Sequence, residues 1–422
     1  MSSRSYRRGA AVLAALGVLA GPAVAPAYAA DPPGVHWSPL GIAATGDCVF
    51  PSPDVAATPW SLQRVLLDQL WQGGTVTGKG VLVAVIDTGV DNRNPQLAAP
   101  NKVQDGGSLL VDKSNNNQPV PGGSMTDTVG HGTKVAGIIA AAKRDGVGFV
   151  GLAPDADILS IRQNDDTGDG DVNTLIQAIN TAVQRHAQVI NISQDVRGTD
   201  PSGSFAGIDQ LRQAVQAAEA ANVVVVASSG NDGNDGPTYP AAFPTVLAVG
   251  ASDRNNERAS FSQYGGFVGV AAPGVDMLST VPVGGQCVDN GTSFSAPYVA
   301  GVAALLRGAH PDWTAQQIRT RIEQTAQRTD RGRNDYIGWG VVDPVKAVTD
   351  TSPPAAQPVA DAPVQLANAP ILPQPLGLGE TQADRDRRTA TYVLATAGLL
   401  VALLGGGSVV LRDFRRRGGR PV

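Results

Sequence analysis

Short apolar runs alternate with helical stretches between Val76 and Asp350. The helical stretches include Val172–Arg185 and Leu211–Ala221, and a capping box at Thr314–Gln317 predicts where the last helix of this region begins. The apolar runs are rich in β-branched residues, as in parallel strands that are buried on both faces. They are Val81–Ile86, Ile158–Ile161, Val189–Ile192, Val223–Ala227 and Val246–Val249. This alternation predicts an α/β fold, with a mostly parallel β-sheet and helices on both faces.

The segments that flank this region lack such a pattern. Residues 31–75 are polar and contain prolines, and a segment of this length seldom folds alone. We therefore expect an extension that is packed on the main domain of residues 76–350. Thr351–Glu380 is rich in Pro, Ala and Gln, which predicts a semi-extended linker over residues 351–388.

Residues 1–30 have the three-part layout of a secretory signal peptide. Three arginines precede the apolar run Ala10–Ala20, and the small-residue sequence Ala27–Ala29 follows as a cleavage site. A short N-terminal membrane anchor is the alternative. The apolar run is too short to span a bilayer comfortably, so cleavage near Ala29 or Ala30 is expected.

A second apolar segment, Thr389–Leu411, is almost free of charge and has the length of about 20 residues that a membrane-spanning helix needs. Gly405–Gly407 weakens its helix propensity, yet glycine is tolerated in membrane helices. A buried core helix is the alternative, and it fits poorly because no foldable segment follows. The arginine-rich tail of residues 412–422 is expected to stay cytoplasmic. The chain is thus predicted to be a single-pass plasma-membrane protein with its main domain extracytoplasmic.

Charge and cysteine usage agree with this location. The net charge of -5 and the absence of basic blocks from the central region argue against nucleic acid as a partner. Cys48 and Cys287 are the only cysteines. Outside the cytoplasm such a pair usually forms a disulfide, and two unpaired buried thiols are the alternative. A bond between them would tie the extension to a loop of the main domain.

Two segments place reactive side chains at the ends of predicted elements. Asp87 follows the strand Val81–Ile86, and the carboxyl end of a parallel strand is where α/β proteins place ligand and catalytic groups. Alone, such an aspartate could equally cap a turn. The sequence Gly130–Thr133 opens a segment with helical periodicity, which puts His131 at a helix N-terminus. A lone histidine is more often structural, and that is our interpretation of the other three: His36, His186 and His310.

A third segment, Gly291–Pro297, is typical of a helix start, since Pro297 suits a first helical turn. Ser293 would then lie at the amino end of a helix, where free N–H groups favour a developing anion. A serine hydroxyl needs a base to take its proton, and the base needs a carboxylate to fix its tautomer. Asn231 follows the strand Val223–Ala227 and could donate to an oxyanion, although a turn residue is the alternative.

The order Asp, His, Ser and the sequences Asp-Thr-Gly, His-Gly-Thr and Gly-Thr-Ser-x-x-Ala-Pro resemble the subtilase family. Gly338–Asp343 resembles the closing segment of that family. The resemblance covers the main domain and implies a subtilisin-like fold with serine endopeptidase activity. It implies that Asp87 orients His131, that His131 is general base and then general acid, and that Ser293 is the nucleophile. Asn231 and the Ser293 N–H would hold the oxyanion.

The same resemblance implies a substrate-binding cleft formed by Ser193, Gln194, Ser228, Ser229 and Gly230. Asp195 stands where the family usually has the glycine of a Ser-x-Gly segment that pairs with the substrate backbone, so it would narrow or charge the cleft. A restricted substrate range is therefore predicted. Phe294, Ser295 and Tyr298 stand where the family commonly has Met, Ala and His, and these changes affect packing beside the nucleophile.

Two polar segments are interpreted as loops. Asn101–Met125, with clusters of Asn, Gly and Pro, is expected to be a long surface loop. A calcium site is one interpretation of the acidic run Asp165, Asp166, Asp169 and Asp171. The run lacks the bidentate Glu that ends an EF-hand loop, because Ile176 falls at that position. A solvated loop at the edge of the cleft is favoured, and we predict neither a metal nor a cofactor.

The whole layout resembles the mycosins, membrane-bound subtilases associated with the type VII secretion systems of actinobacteria. This resemblance implies a protein or peptide substrate, a membrane anchor and an association with a type VII secretion complex. The extension would then be a wrapped part of the mature domain. Two other functions fit the sequence. The chain could be a structural component of the membrane complex with proteolysis secondary, or a protease dedicated to removing a peptide leader.

Overall fold

The computed structural model describes residues 48–112, 118–166, 168, 170–197, 204–363 and 379–417. The predicted signal peptide, His36, Asp169 and parts of the extension, linker and tail lie outside these ranges. The chain divides into two compact units, the first ending at Ala362 and the second beginning at Pro363. Within the described residues, all strands belong to the first unit.

Helices and strands alternate along the first unit, and one long helix makes up most of the second. The helices are α1 (Trp60–Gln63), α2 (Leu67–Leu70), α3 (His131–Ala140), α4 (Val172–Gln184), α5 (Ile208–Ala220), α6 (Thr292–Ala309), α7 (Ala315–Thr325), α8 (Pro344–Thr349) and α9 (Gln382–Arg417). The strands are β1 (Leu82–Asp87), β2 (Val103–Ser108), β3 (Val111–Asp112), β4 (Gln118–Pro119), β5 (Asp157–Arg162), β6 (Val189–Ile192), β7 (Val224–Ser228), β8 (Val246–Ser252), β9 (Val270–Pro273), β10 (Met277–Thr280) and β11 (Gln286–Asp289).

Seven strands form one parallel sheet in the order β2-β5-β1-β6-β7-β8-β9. Because side chains alternate along a strand, each strand supplies both faces of the sheet. Val83 and Val85 of β1 pack in a core with α3 and α6, whereas Ala84 and Ile86 pack in a second core with α4 and α5. The parallel sheet with helices on both faces confirms the predicted fold class.

The predicted strands correspond to β1, β5, β6, β7 and β8, with ends that differ by at most three residues. The capping box that opens α7 is also present, because Thr314 and Gln317 each accept a hydrogen bond from the other's backbone N–H, at 3.1 and 2.8 Å. The loop predicted over Asn101–Met125 is wrong in part. Val103–Ser108 is the edge strand β2, whose pairing with β5 overrides the low strand propensity of its glycines.

The described part of the extension is packed against the main domain, as expected. The indole N–H of Trp60 donates to the Val275 carbonyl at 2.9 Å, and that of Trp71 donates to the Leu152 carbonyl at 2.9 Å. Leu70, which lies between these two tryptophans in the sequence, is fully buried. These contacts attach both short helices of the extension to the main domain.

The linker predicted from residue 351 begins later in the structure. Val359 exchanges two hydrogen bonds with the Gln324 side chain of α7, at 2.7 and 3.2 Å. Asp361 forms an ion pair with Arg328 at 2.7 Å. Such contacts depend on which surface the chain meets, so composition alone did not predict them.

Helix α9 contains the whole of the predicted span Thr389–Leu411. It is long and apolar enough to cross a membrane, with a mean hydropathy of 2.1 over its most apolar window. None of its residues is buried within the described structure. An exposed apolar surface of this extent calls for lipid or a partner.

Candidate active site

Strand β1 delivers Asp87 to the carboxyl edge of the sheet, and helix α3 begins at His131 directly opposite it. The two side chains are each only 2% exposed. His131 Nδ1 lies 2.8 Å from Asp87 Oδ1, which also accepts the backbone N–H of Thr88 at 2.8 Å. Since the Nδ1 proton is held by the carboxylate, the lone pair of the neutral imidazole is on Nε2, where a base needs it.

Two glycines allow this close approach of helix and strand. A Cβ at Gly132 would overlap the carbonyl oxygen of Gly89, which follows β1. Gly130 has a φ of +85°, in the left-handed region that side chains disfavour, and a Cβ there would overlap the ring of Phe50 from the extension. The small residues around His131 therefore have a steric cause.

Asp127 fixes the turn that precedes α3, a role that the sequence did not reveal to us. It accepts the N–H groups of Gly130 and Thr133 at 2.7 and 2.9 Å, and the Thr88 hydroxyl at 2.9 Å. Burial raises the pKa of Asp127 and outweighs these hydrogen bonds, which lower it. An Asp placed before a Gly-His helix start is a local signal for this capping role.

Several charged groups act on His131, and they oppose one another. Burial lowers its pKa, but the charge and hydrogen bond of Asp87 raise it, and the net pKa lies above the usual value. Asp289 raises the pKa of His131 further, while Lys134 lowers it. Neither Lys134 nor Asp289 was singled out in the sequence, since a buried pair so distant in the chain leaves no local pattern.

Ser293 lies in the first turn of α6 and is 3% exposed. Its hydroxyl donates to the carbonyl of Ser193 at 3.0 Å, and the Ser193 hydroxyl donates to the carbonyl of Ser293 at 2.9 Å. The described residues contain no hydrogen bond between Ser293 and His131 in this state. A proton transfer from Ser293 to His131 would require the Ser293 hydroxyl to leave the Ser193 carbonyl.

The placement of Pro297 in the first helical turn is wrong, because α6 already begins at Thr292. Pro297 therefore lies in the second turn, where it has no N–H to donate to the carbonyl four residues earlier. That carbonyl belongs to Ser293. The Ser193 hydroxyl takes the place of the missing donor, which explains why a helix interior tolerates proline here.

Asn231 lies beside the start of α6. Its side-chain oxygen accepts the N–H and the hydroxyl of Thr292, both at 2.9 Å. The amide is therefore oriented by its oxygen, and its NH2 group remains as the donor. A Cβ at Gly291 would be 3.6 Å from that nitrogen, so the amide lies beside the residue that precedes α6.

The predicted cleft residues lie on two neighbouring segments that follow β6 and end β7. Gln194 hydrogen-bonds to Gln163, Ser229 donates to the Gln263 carbonyl at 3.1 Å, and Gly230 donates to the Thr292 hydroxyl at 3.3 Å. Ser193 touches Ser293, as described, and Ser228 is buried at the end of β7.

Asp195 brings a carboxylate to this cleft. One of its oxygens would lie 3.4 Å from a Cβ at Gly230, and the Arg197 guanidinium is 3.6 Å away. Arg197 also pairs with Asp232. Burial raises the pKa of Asp195 to about 6, against the lowering effect of Arg197. Asp195, Arg197 and Asp232 thus form a charged cluster beside Gly230.

The three residues near Ser293 that depart from the subtilase pattern, Phe294, Ser295 and Tyr298, have packing roles. The ring of Phe294 lies 5.2 Å from that of His131, and the Tyr298 hydroxyl donates to the Ser61 carbonyl of the extension at 3.3 Å. Burial raises the pKa of Tyr298. The hydroxyl of Ser295 is fully buried without a hydrogen-bond partner among the described residues, and it packs against Gly274.

The remaining candidates lie elsewhere or have other roles. His310 stacks on Trp313 with ring centroids 3.8 Å apart, and His186 lies exposed after α4. In the acidic run, Asp171 caps α4 and Asp166 pairs with Arg162. Over the described ranges, no group of three or more His, Cys, Asp or Glu is placed to hold a metal ion.

Known proteins are similar to this chain over most of the first unit. A family model described as "Subtilase family" matches residues 78–340. Subtilisin NAT of Bacillus subtilis subsp. natto is 38% identical over 286 residues, which cover 68% of this chain and 70% of that protein. The structure of MycP1 from Mycobacterium smegmatis is similar with a TM-score of 0.62 and 30% identity, over 76% of this chain and 92% of that one. That of the MycP3 protease from the type VII (ESX-3) secretion system has a TM-score of 0.61 and 34% identity, over 71% and 90%.

Proposed function

This chain belongs to the subtilase family and is a serine endopeptidase, and we propose that Asp87, His131 and Ser293 are its catalytic triad. The observation that carries this proposal is the buried 2.8 Å contact between Asp87 and His131, at the first turn of α3. The nucleophile position is supported by Ser293 at the first turn of α6, packed against His131 through Phe294.

The mechanism that we infer follows from these contacts. Ser293 Oγ attacks the peptide carbonyl carbon while its proton moves to His131 Nε2, and Asp87 stabilises the imidazolium. The oxyanion that forms accepts hydrogen bonds from the Ser293 N–H and from the side-chain NH2 group of Asn231. Each such donor contributes about 3 kcal/mol to transition-state stabilisation. His131 then gives the proton to the leaving amine. In the second half of the reaction, water attacks the acyl-enzyme while His131 takes a proton from it, and His131 then returns a proton to Ser293 Oγ.

We also propose that the enzyme is anchored in the plasma membrane, faces the outside and works with a type VII secretion system. The apolar helix α9 supports the anchor. The arginines after it and the signal-peptide layout of residues 1–30 support the orientation. The likeness to two MycP proteases supports the association with secretion.

A restricted substrate range is part of the proposal, and the charged cluster of Asp195, Arg197 and Asp232 supports it. Asp195 and Arg197 occupy space beside Gly230, so a substrate must fit their shape and charge. Efficient cleavage of an unselected protein such as casein by the wild type would contradict this restriction.

The first test is labelling of the full-length protein with a fluorophosphonate probe. We expect the wild type to be labelled, and the Ser293→Ala and His131→Ala variants to lose labelling by a factor of about 1,000 or more, since the nucleophile and its base act as a unit. The Ser295→Ala variant is the matched control, because this neighbouring hydroxyl is fully buried against Gly274. Labelling that persists in Ser293→Ala would refute the triad.

A secretion assay in cells distinguishes the protease function from the alternative role as a structural component of the membrane complex. If the chemistry is required, a host with Ser293→Ala in place of the wild type loses export of the substrate. If export and complex assembly are unchanged, the structural role is the correct one.

A further inference from the structure

A buried ion pair lies next to the general base. Lys134 Nζ is 2.7 Å from Asp289 Oδ2, and the two side chains are only 4% and 1% exposed. The two residues are 155 positions apart in the chain. Taking both charges out of water costs several kcal/mol per ion before their attraction is counted. Apolar residues would fill such a site at less cost, so the pair invites a functional explanation.

The pair joins the two segments that carry the reacting groups. Lys134 is one helical turn after His131 on α3, and Asp289 ends β11, which leads into Ser293 at the start of α6. Both ends are held firmly, since Ser279 donates to the Lys134 carbonyl at 2.6 Å and the Asn290 N–H donates to Asp289 Oδ1 at 2.8 Å. A change of distance between α3 and β11 would break this contact.

The ammonium also lies close to the reacting groups. Lys134 Nζ is 6.0 Å from the centre of the Phe294 ring, and that ring packs on His131. Charged groups act on His131 from three of the elements around it: Asp87 from β1, Lys134 from α3 and Asp289 from β11. From α6 the contact is the uncharged Phe294. The carboxylate of Asp127, which precedes α3, accepts hydrogen bonds from the backbone N–H groups of Gly130 and Thr133.

We propose that Lys134 and Asp289 are positioning residues for catalysis, which hold α3 against the nucleophile segment and keep the charge beside His131 balanced. Each partner opposes the effect of the other on the pKa of His131. Asp289 alone would favour the imidazolium and raise the pKa of His131, whereas Lys134 alone would lower it. The intact pair therefore leaves Asp87 as the dominant charge on the base.

This proposal predicts opposite effects of two substitutions on the pH dependence of Ser293 labelling. Labelling needs neutral His131, so its rate falls as the pH drops through the pKa of that residue. Lys134→Met leaves Asp289 uncompensated and moves the fall to higher pH, whereas Asp289→Asn moves it to lower pH. Each shift is expected to be about 0.5 pH unit or more. The double variant should return towards the wild type.

The measurement is the rate constant of fluorophosphonate labelling of the full-length chain in detergent, between about pH 5 and pH 9. NMR titration of labelled histidine side chains in the same variants, with His131→Ala for assignment, gives a second readout that needs no reaction. Arg319→Met is the matched control, because it breaks the Arg319–Glu219 ion pair between α7 and α5 and should leave the profile unchanged. A purely structural role predicts slower labelling or lower stability with no shift, or shifts of the same sign, and either result overturns the proposal.

Discussion

Ser193 and Ser293 hold each other through reciprocal hydrogen bonds, and Pro297 is the reason that one of these bonds is needed. The proline leaves the Ser293 carbonyl without its helical donor, and the Ser193 hydroxyl fills that role at 2.9 Å. Asn191 in turn donates to the Ser193 hydroxyl at 2.9 Å. A segment expected to bind substrate is thus tied to the nucleophile by a polar chain.

At this scale we predict a rescue within a double-mutant cycle. Ser193→Ala leaves the buried Ser293 carbonyl unsatisfied and should lower the free energy of unfolding by about 1–3 kcal/mol. Adding Pro297→Ala restores a helical N–H to that carbonyl, and should recover about 1 kcal/mol. Pro297→Ala alone is the control, because the Ser293 carbonyl then still accepts the Ser193 hydroxyl. Denaturant unfolding of the four proteins measures the cycle, and equal effects of Pro297→Ala in both backgrounds would contradict it.

At the scale of elements, the extension holds the rim of the site at several points. Cys48 forms the predicted disulfide with Cys287 of β11, the Ser52 N–H donates to the Gly284 carbonyl at 3.0 Å, and the Val55 N–H donates to the Gln286 side chain at 2.8 Å. Between these contacts Phe50 covers Gly130, next to His131. The extension therefore links the turn before α3 to β11.

Loss of the disulfide should destabilise the first unit strongly, because the bond closes a loop with a sequence separation of 239. The Cys48→Ser/Cys287→Ser variant is expected to lose about 2–5 kcal/mol in the free energy of unfolding. Thermal unfolding with and without a thiol reductant measures the effect. The reductant should lower the midpoint of the wild type and leave that of the variant unchanged, and an unchanged wild type would count against this prediction.

The elements that sequence reasoning found are those with a strong local signal. Strands β1 and β7 lie largely within the continuous apolar runs Val81–Ile86 and Val223–Ala227, and His131 and Ser293 lie in glycine-bounded sequences that open helices. What it missed depends on tertiary pairing. The edge strand β2 is rich in glycine and is fixed by β5, and the contact of Lys134 with Asp289 joins residues that no local window contains.

At the scale of the whole molecule, we expect α9 to decide where the enzyme is found. Its apolar stretch Thr389–Leu411 is about 35 Å long as a helix, enough to cross the hydrocarbon core of a bilayer. No residue of it is covered by protein within the described structure.

Removal of residues 382–422 should therefore release the enzyme from the membrane while leaving Ser293 reactive. We expect the full chain in the membrane pellet after carbonate washing, and the shortened chain in the soluble extracellular or periplasmic fraction. Both forms should be labelled at similar rates by a fluorophosphonate. As a control, replacing α9 by an unrelated membrane helix should restore pelleting. A shortened chain that still pellets would refute α9 as the anchor.

The bond between Cys48 and Cys287 also determines whether the pieces separate when the chain is cut. If a protease, including a second copy of this enzyme, clips the polypeptide anywhere between these two cysteines, the pieces stay covalently joined. A clipped molecule would migrate as one species on a non-reducing gel and separate only after reduction. Maturation by internal clipping would thus leave the N-terminal piece fastened beside His131, and a change in activity after such a cut would come from local loosening and not from departure of that piece.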